Sequence, residues 1–231
     1  MSMVVNKSYV KRHTMSFVVA HWVNAISFFV LFITGLPLFS PSFHFLYEIF
    51  GDANFQIIHR VFAVIFIVNP IIGIFLARKG YWIMMTEPLK FGKRDMDFLA
   101  KFPLDLLGMN PKVEKQTYYN GGEKLNIALQ IIFWGVLVVS GAILWFGAGV
   151  IDNSIRTWFI PIHACAAALG MAMALGHIYL AVGVNPDSVH GMVDGTIKAK
   201  YAEHHHGKWI EDCIESGEVS EEEMEEAVKN Y

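Results

Sequence analysis

The chain has 231 residues, of which 54% are hydrophobic and 17% charged, a balance too apolar for an ordinary soluble domain of this length and in the range of membrane proteins. A formal charge of −3 offers no basic excess, and a nucleic acid is not an expected partner. The two cysteines, Cys165 in an apolar run and Cys213 in a charged tail, suggest no disulfide and form no CxxCH haem-attachment motif.

The first thirteen residues carry Lys7, Lys11 and Arg12 and no acid. Four apolar stretches follow, Met15 to Phe39, Phe55 to Ala77, Leu125 to Phe146 and Trp158 to Val182, each long enough to cross a hydrocarbon core about 30 Å thick. The first is too long for the apolar region of a cleavable signal and has no small-residue cleavage site, so it is expected to be retained. Ser40 to Asn54 contains no Lys or Arg, Arg78 to Lys124 is rich in both, and the third connection has only Arg156. Because Lys and Arg gather on the cytoplasmic side, both termini and the long second connection are expected there. The spacing predicts an all-α integral membrane protein, a four-helix bundle in which spans one and three run outward and two and four inward. Its expected domains are a cytoplasmic N-terminus (1–14), a transmembrane domain (15–183) with cytoplasmic connection 78–124, and a cytoplasmic tail (184–231), lodged as a multi-pass protein in the inner membrane.

His21 falls near the cytoplasmic end of the first span, which Gly35 and Pro37 are expected to loosen at its far end. His59 falls near the opposite surface, early in the second span. The fourth, from Pro161 to Val182, is apolar except for His163 and His177. These two are fourteen positions apart, about 21 Å of helical rise and within roughly 40° of one face, with small residues between them. Given the alternation of directions, His163 lies at the depth of His59 and His177 at that of His21, so the four histidines sort into two pairs. Two neutral imidazoles from different helices can fill both axial positions of a haem iron, which then transfers electrons without binding oxygen. Histidines that only hydrogen-bond between helices are the simpler alternative. A transporter that relays protons or binds a metal ion is another, but it would call for acids within the membrane, and the four spans contain no Asp or Glu.

The segments AHW around His21, IIHRVFA around His59, PIHACAA around His163 and GHIYLAV around His177, with YYNGGEKLN before the third span and YAEHHHGKW after the fourth, resemble the gamma subunit of respiratory formate dehydrogenases. That family is a dihaem cytochrome b with four transmembrane helices. The resemblance runs in order from about Arg12 to Trp209. It implies two haem b groups, with His59 and His163 as iron ligands of the outer one and His21 and His177 of the inner one. It further implies an iron–sulfur subunit as electron donor, a catalytic dehydrogenase subunit beyond it, and reduction of a menaquinone or ubiquinone near the cytoplasmic haem. From the residues alone, Asn120 and Glu123 read as the cap of a helix start. The resemblance implies that Asn120, Gly122 and Glu123, beside His177, bind the quinone. The family commonly has Gln where this chain has Glu123, so a carboxyl there either relays protons or takes the place of the amide. The cytochrome b of a nickel-iron hydrogenase or a thiosulfate reductase is the alternative within the same class.

His44, among aromatics in the outer connection, reads as an interfacial residue. His204, His205 and His206 read as a cytoplasmic surface patch in preference to a metal site. Glu211 to Glu226, acidic with interspersed apolar residues, is expected to be a short helix or a solvated tail.

Overall fold

The computed structural model describes residues 3–6, 8–109 and 111–229. Its helices are α1 (Met15–Phe39), α2 (Phe45–Phe50), α3 (Asp52–Leu76), α4 (Arg78–Thr86), α5 (Lys93–Leu106), α6 (Gly121–Phe146), α7 (Asn153–Ile178), α8 (Ala199–His205), α9 (Gly207–Glu215) and α10 (Glu221–Lys229). Helices α1, α3, α6 and α7 are long and apolar enough to cross a membrane. Three of them start earlier than the apolar runs that announce them, because polar residues open each first turn. The Asp52 carboxylate accepts the Ala53 N–H at 2.7 Å, and Asp152 accepts that of Ser154 at 2.8 Å, meeting amide donors that a helix start leaves unpaired. α1 runs through Gly35 and Pro37 to Phe39 without a break, and α7 passes after Ile178 into a wider turn over Tyr179–Val184. Beyond the all-α expectation there are, among the described residues, three short strands, β1 (Val4–Asn6), β2 (Tyr9–Lys11) and β3 (Thr196–Lys198).

The chain divides into two compact units. One comprises Val19–Leu76 and Leu129–Leu175. Two side chains tie its helices through backbone groups. Pro70 has no N–H to give to the Phe66 carbonyl one turn back, and the Trp134 Nε1–H from α6 donates to that carbonyl at 3.2 Å. The Asn69 amide on α3 donates to the Ala20 carbonyl of α1 at 2.8 Å. Phe28 stacks on Phe66. Otherwise the helices turn apolar residues outward: only 6% of the most apolar window of α6 is buried inside the chain. So exposed an apolar surface requires lipid as its solvent.

The other unit comprises Met1–Val18, Ala77–Ala128 and Gly176–Tyr231. Its sheet, in the order β1-β2-β3, is antiparallel, with Val10 opposite Ile197, and both of these are fully buried. Gly195 has a φ of +77° just before β3, and a Cβ there would collide with the His13 carbonyl; this is a place only glycine fits. The acidic tail is neither solvated nor a single helix. α9 and α10 turn Trp209, Ile210, Cys213, Met224 and Ala227 into a core shared with Val10 and Ile197, and keep their acids outside. A second anchor is ionic. Lys124, in the first turn of α6, is almost fully buried with its Nζ 3.0 Å from Asp95 Oδ1 and 3.9 Å from Glu87 Oε2. Asp95 in turn holds the start of α5, accepting the Gly92 N–H at 2.9 Å.

Candidate functional site

Of the four span histidines, the structure brings two together within one unit. His59 on α3 and His163 on α7 face each other with ring centres 6.5 Å apart and planes at 59°. Two imidazoles bonded on opposite sides of one metal atom at about 2 Å each, with their centres an ångström or so behind the bonding nitrogens, stand roughly 6 Å apart. The observed separation therefore fits a shared metal between the rings, and it is too long for a direct hydrogen bond. Each Nδ1 is already engaged: that of His59 lies 2.8 Å from Thr34 Oγ1 on α1, and that of His163 lies 2.8 Å from Ser140 Oγ on α6. With Nδ1 so occupied, Nε2 is the nitrogen free to ligate. Glycine gives the ring edges room. A Cβ on Gly35 would sit 3.9 Å from Cε1 of His59, and one on Gly141 only 3.3 Å from Cε1 of His163. The residues present thus fit a bis-imidazole haem. Nearby, the Arg60 guanidinium lies over the Trp145 ring, 5.4 Å from its centre.

His21 belongs to the same unit, on α1, with its ring edge-on to Trp22 at 5.5 Å. His177 is in the other unit, near the end of α7. Asn120, Gly122 and Glu123 belong to that unit as well. The start of α6 is a reciprocal cap: the Asn120 Oδ1 accepts the Glu123 N–H at 2.9 Å, and Glu123 Oε2 accepts the Asn120 N–H at 2.9 Å. This is the capping-box arrangement with Asn in place of Ser or Thr. It uses the oxygen of the Asn120 amide and leaves its NH₂ to donate elsewhere. Gly121 is the glycine that packing demands here, since a Cβ would lie 2.5 Å from the Asp95 carbonyl oxygen of α5. At Gly122 a Cβ would meet Asn120 Oδ1 and Phe98 at 3.4 Å, which is ordinary contact.

Glu123 has a second partner that the sequence did not single out. Arg12, read there only as part of a basic N-terminus, is buried, with Nη2 3.2 and 3.3 Å from the two Glu123 oxygens and 2.6 Å from the Tyr118 carbonyl. Its guanidinium also lies over the rings of Tyr118 and Tyr119. Burial works against its charge, but the pull of Glu123, helped by Tyr118, Tyr119 and Tyr201, more than offsets this and sets its pKa above the ordinary arginine value.

The three consecutive histidines are not a uniform surface patch. His204 is exposed, His205 partly covered and His206 fully buried. His206 is held by its Nδ1, 3.1 Å from the Thr117 carbonyl, and its Nε2 stands 3.9 Å from Glu123 Oε2. Burial, then the charge of Arg12, pushes its pKa well below the usual histidine value; burial, then His204, brings that of His205 to about 4. Among the described residues no group of three or more His, Cys, Asp or Glu is placed to hold a metal ion. Because His206 is neutral when folded and takes a proton more readily when unfolded, it favours folding fully above pH 6.5 and loses that contribution as pH falls below it. The slope is about 1.4 kcal/mol per pH unit. The hydrogen-exchange protection factors across α8 and α9, referred to the intrinsic rate at each pH, are expected to fall between about pH 6.5 and 5, and His206→Gln should flatten that dependence; an equal fall in the variant would contradict it.

The model of the prokaryotic cytochrome b561 family matches residues 12–195. The cytochrome b556(Fdn) subunit of the nitrate-inducible formate dehydrogenase of Escherichia coli strain K12 is 28% identical over 228 residues, covering 96% of this chain and 97% of that one. The cytochrome b556(fdo) subunit of formate dehydrogenase from the same strain is 28% identical over 214 residues, 91% and 96% of the two chains. The cytochrome b556 subunit of Haemophilus influenzae formate dehydrogenase is 25% identical over 219 residues, 91% and 86%.

Proposed function

We propose that this chain, which belongs to the prokaryotic cytochrome b561 family, is the dihaem cytochrome b subunit of a formate dehydrogenase and delivers electrons from an iron–sulfur partner to a membrane quinone. The observation that carries the proposal is the facing pair His59 and His163, spaced for one metal and held from behind by hydroxyls. The near end-to-end likeness to formate dehydrogenase subunits favours formate dehydrogenase over hydrogenase or thiosulfate reductase. Haem, when bound, supplies one-electron chemistry with no position open to oxygen. His59 and His163 hold one such group, and His21 and His177 the other. The first is assigned to the outer side and the second to the cytoplasmic side of the inner membrane. This orientation is supported by the basic residues of the N-terminus, the second connection and the tail, and by the folding of all three into one unit. Formate oxidation is assigned to a catalytic subunit beyond the iron–sulfur partner.

The quinone site is assigned to Asn120, Gly122, Glu123 and His177. The Asn120 NH₂, left over from the cap, supplies a donor for a quinone carbonyl, and Glu123 fixes the loop that presents it. In the purified complex, a pyridine haemochrome assay should find two haems per chain, and formate should reduce an added quinone. Asn120→Asp, which keeps the capping oxygen but loses the NH₂, is expected to slow quinone turnover about tenfold or more with both haem spectra intact. Unchanged turnover and quinone affinity in that variant would move the site elsewhere, and a single haem per chain would overturn the dihaem reading.

A further inference from the structure

Thr34 and Ser140 lie in different spans, yet they make the same set of contacts. Each hydroxyl is buried and reaches back to its own helix: Thr34 Oγ1 lies 2.8 Å from the Val30 carbonyl and Ser140 Oγ lies 2.6 Å from that of Val136. Two oxygens that close need a hydrogen between them, and the carbonyl has none to give. The single hydroxyl proton is therefore committed to the helix backbone, and what the hydroxyl offers its histidine is a lone pair. The hydrogen in each 2.8 Å Nδ1···Oγ contact must then belong to the ring. Each hydroxyl also has a second carbonyl of its own helix in reach, Leu31 at 3.1 Å from Thr34 Oγ1 and Leu137 at 3.4 Å from Ser140 Oγ. The residue after each hydroxyl is a glycine, Gly35 or Gly141, whose missing Cβ faces Cε1 of the same imidazole.

We propose that Thr34 and Ser140 are matched positioning residues that fix His59 and His163 as Nδ1–H tautomers, present Nε2 of both to one iron, and thereby set the reduction potential of that haem. The inference rests on the assignment of His59 and His163 as axial ligands. Its physical content is that an acceptor behind the imidazole raises its basicity and so favours ferric over ferrous iron. Both hydroxyls are buried, so no bulk water takes over when one is removed.

The test is a redox titration of the purified complex carrying Thr34→Val, Ser140→Ala or Thr34→Ser, with haem content measured alongside. Thr34→Val and Ser140→Ala should each raise the midpoint potential of one and the same haem and leave the other unmoved. A tenfold loss of preference for ferric iron reads as about 59 mV for one electron. Thr34→Ser, which keeps the hydroxyl, should match the unsubstituted chain. If Thr34→Val instead loses that haem, Thr34→Ser must keep it; loss in both would show that the hydroxyl does not suffice to hold the ring and would overturn the proposal, as would unshifted potentials in both Thr34→Val and Ser140→Ala. His59→Ala separates the two layers of argument. Retention of both haems there would remove the ligand assignment itself, whereas loss of one haem there with unshifted hydroxyl variants would remove only the role of the hydroxyls.

Discussion

Replacing His59 or His163 by alanine is expected to cost the protein one haem and leave the other in place. The two rings face each other 6.5 Å apart from α3 and α7, so under the proposed assignment either substitution would remove one of the two side chains that hold the iron. The loss should be nearly all-or-none. The surviving imidazole is anchored from behind, His59 to Thr34 and His163 to Ser140, and cannot swing across to cover both positions. Removing both histidines should therefore cost no more haem than removing one, a non-additivity that marks residues acting as a unit. In the purified complex the haemochrome value should fall from two to one per chain, and His21→Ala or His177→Ala should remove the haem that remains in the first pair of variants. Additive losses, or both haems retained with unaltered spectra, would sink the pairing.

What was legible in the sequence is what depends on composition along the chain. The four spans were visible because about twenty apolar residues in a row have little else to do than cross a membrane, and the helices that contain them begin a few residues earlier where Asp52 and Asp152 meet the first amides. His59 and His163 could be matched in depth from charge asymmetry alone. The hydroxyls behind them could not, since Thr34 and Ser140 are unremarkable in an apolar run and acquire a role only when α1 meets α3 and α6 meets α7. Long-range pairing hid the rest. Arg12 and Glu123 are 111 positions apart, and the burial of Lys124 against Asp95 and of His206 behind Thr117 depends on how distant segments fold together. Counting Arg12 as a topogenic charge used its sign but missed its place, and reading His206 as surface followed from its charged neighbours when the turn between α8 and α9 in fact points it inward. The acidic tail misled in the same way: its acids dominate the composition, while Trp209, Ile210, Cys213 and Met224 decide where it goes.

Glu123→Gln, which removes the charge and nearly keeps the shape, is expected to destabilise the unit that contains it. A glutamine oxygen can still accept the Asn120 N–H and keep the helix cap. What it cannot do is balance the guanidinium of Arg12, whose side chain is only 4% exposed and whose other polar contact is the Tyr118 carbonyl. Removing one partner of a buried ion pair costs on the order of 3–5 kcal/mol, because the remaining charge keeps its desolvation penalty without its compensation. Arg12→Gln should be costly for the complementary reason, and it also strips the Tyr118 carbonyl of a donor. The double substitution Arg12→Gln with Glu123→Gln removes both charges together and should recover about 1–3 kcal/mol relative to the sum of the single changes. Hydrogen exchange of β2 and of the first turn of α6 would report this directly, with quinone turnover measured in parallel. If the single Glu123→Gln slows turnover and the double variant restores it, the carboxylate serves the quinone site by holding Arg12 and the loop in place; if turnover stays low in the well-folded double variant, the carboxyl itself carries the proton.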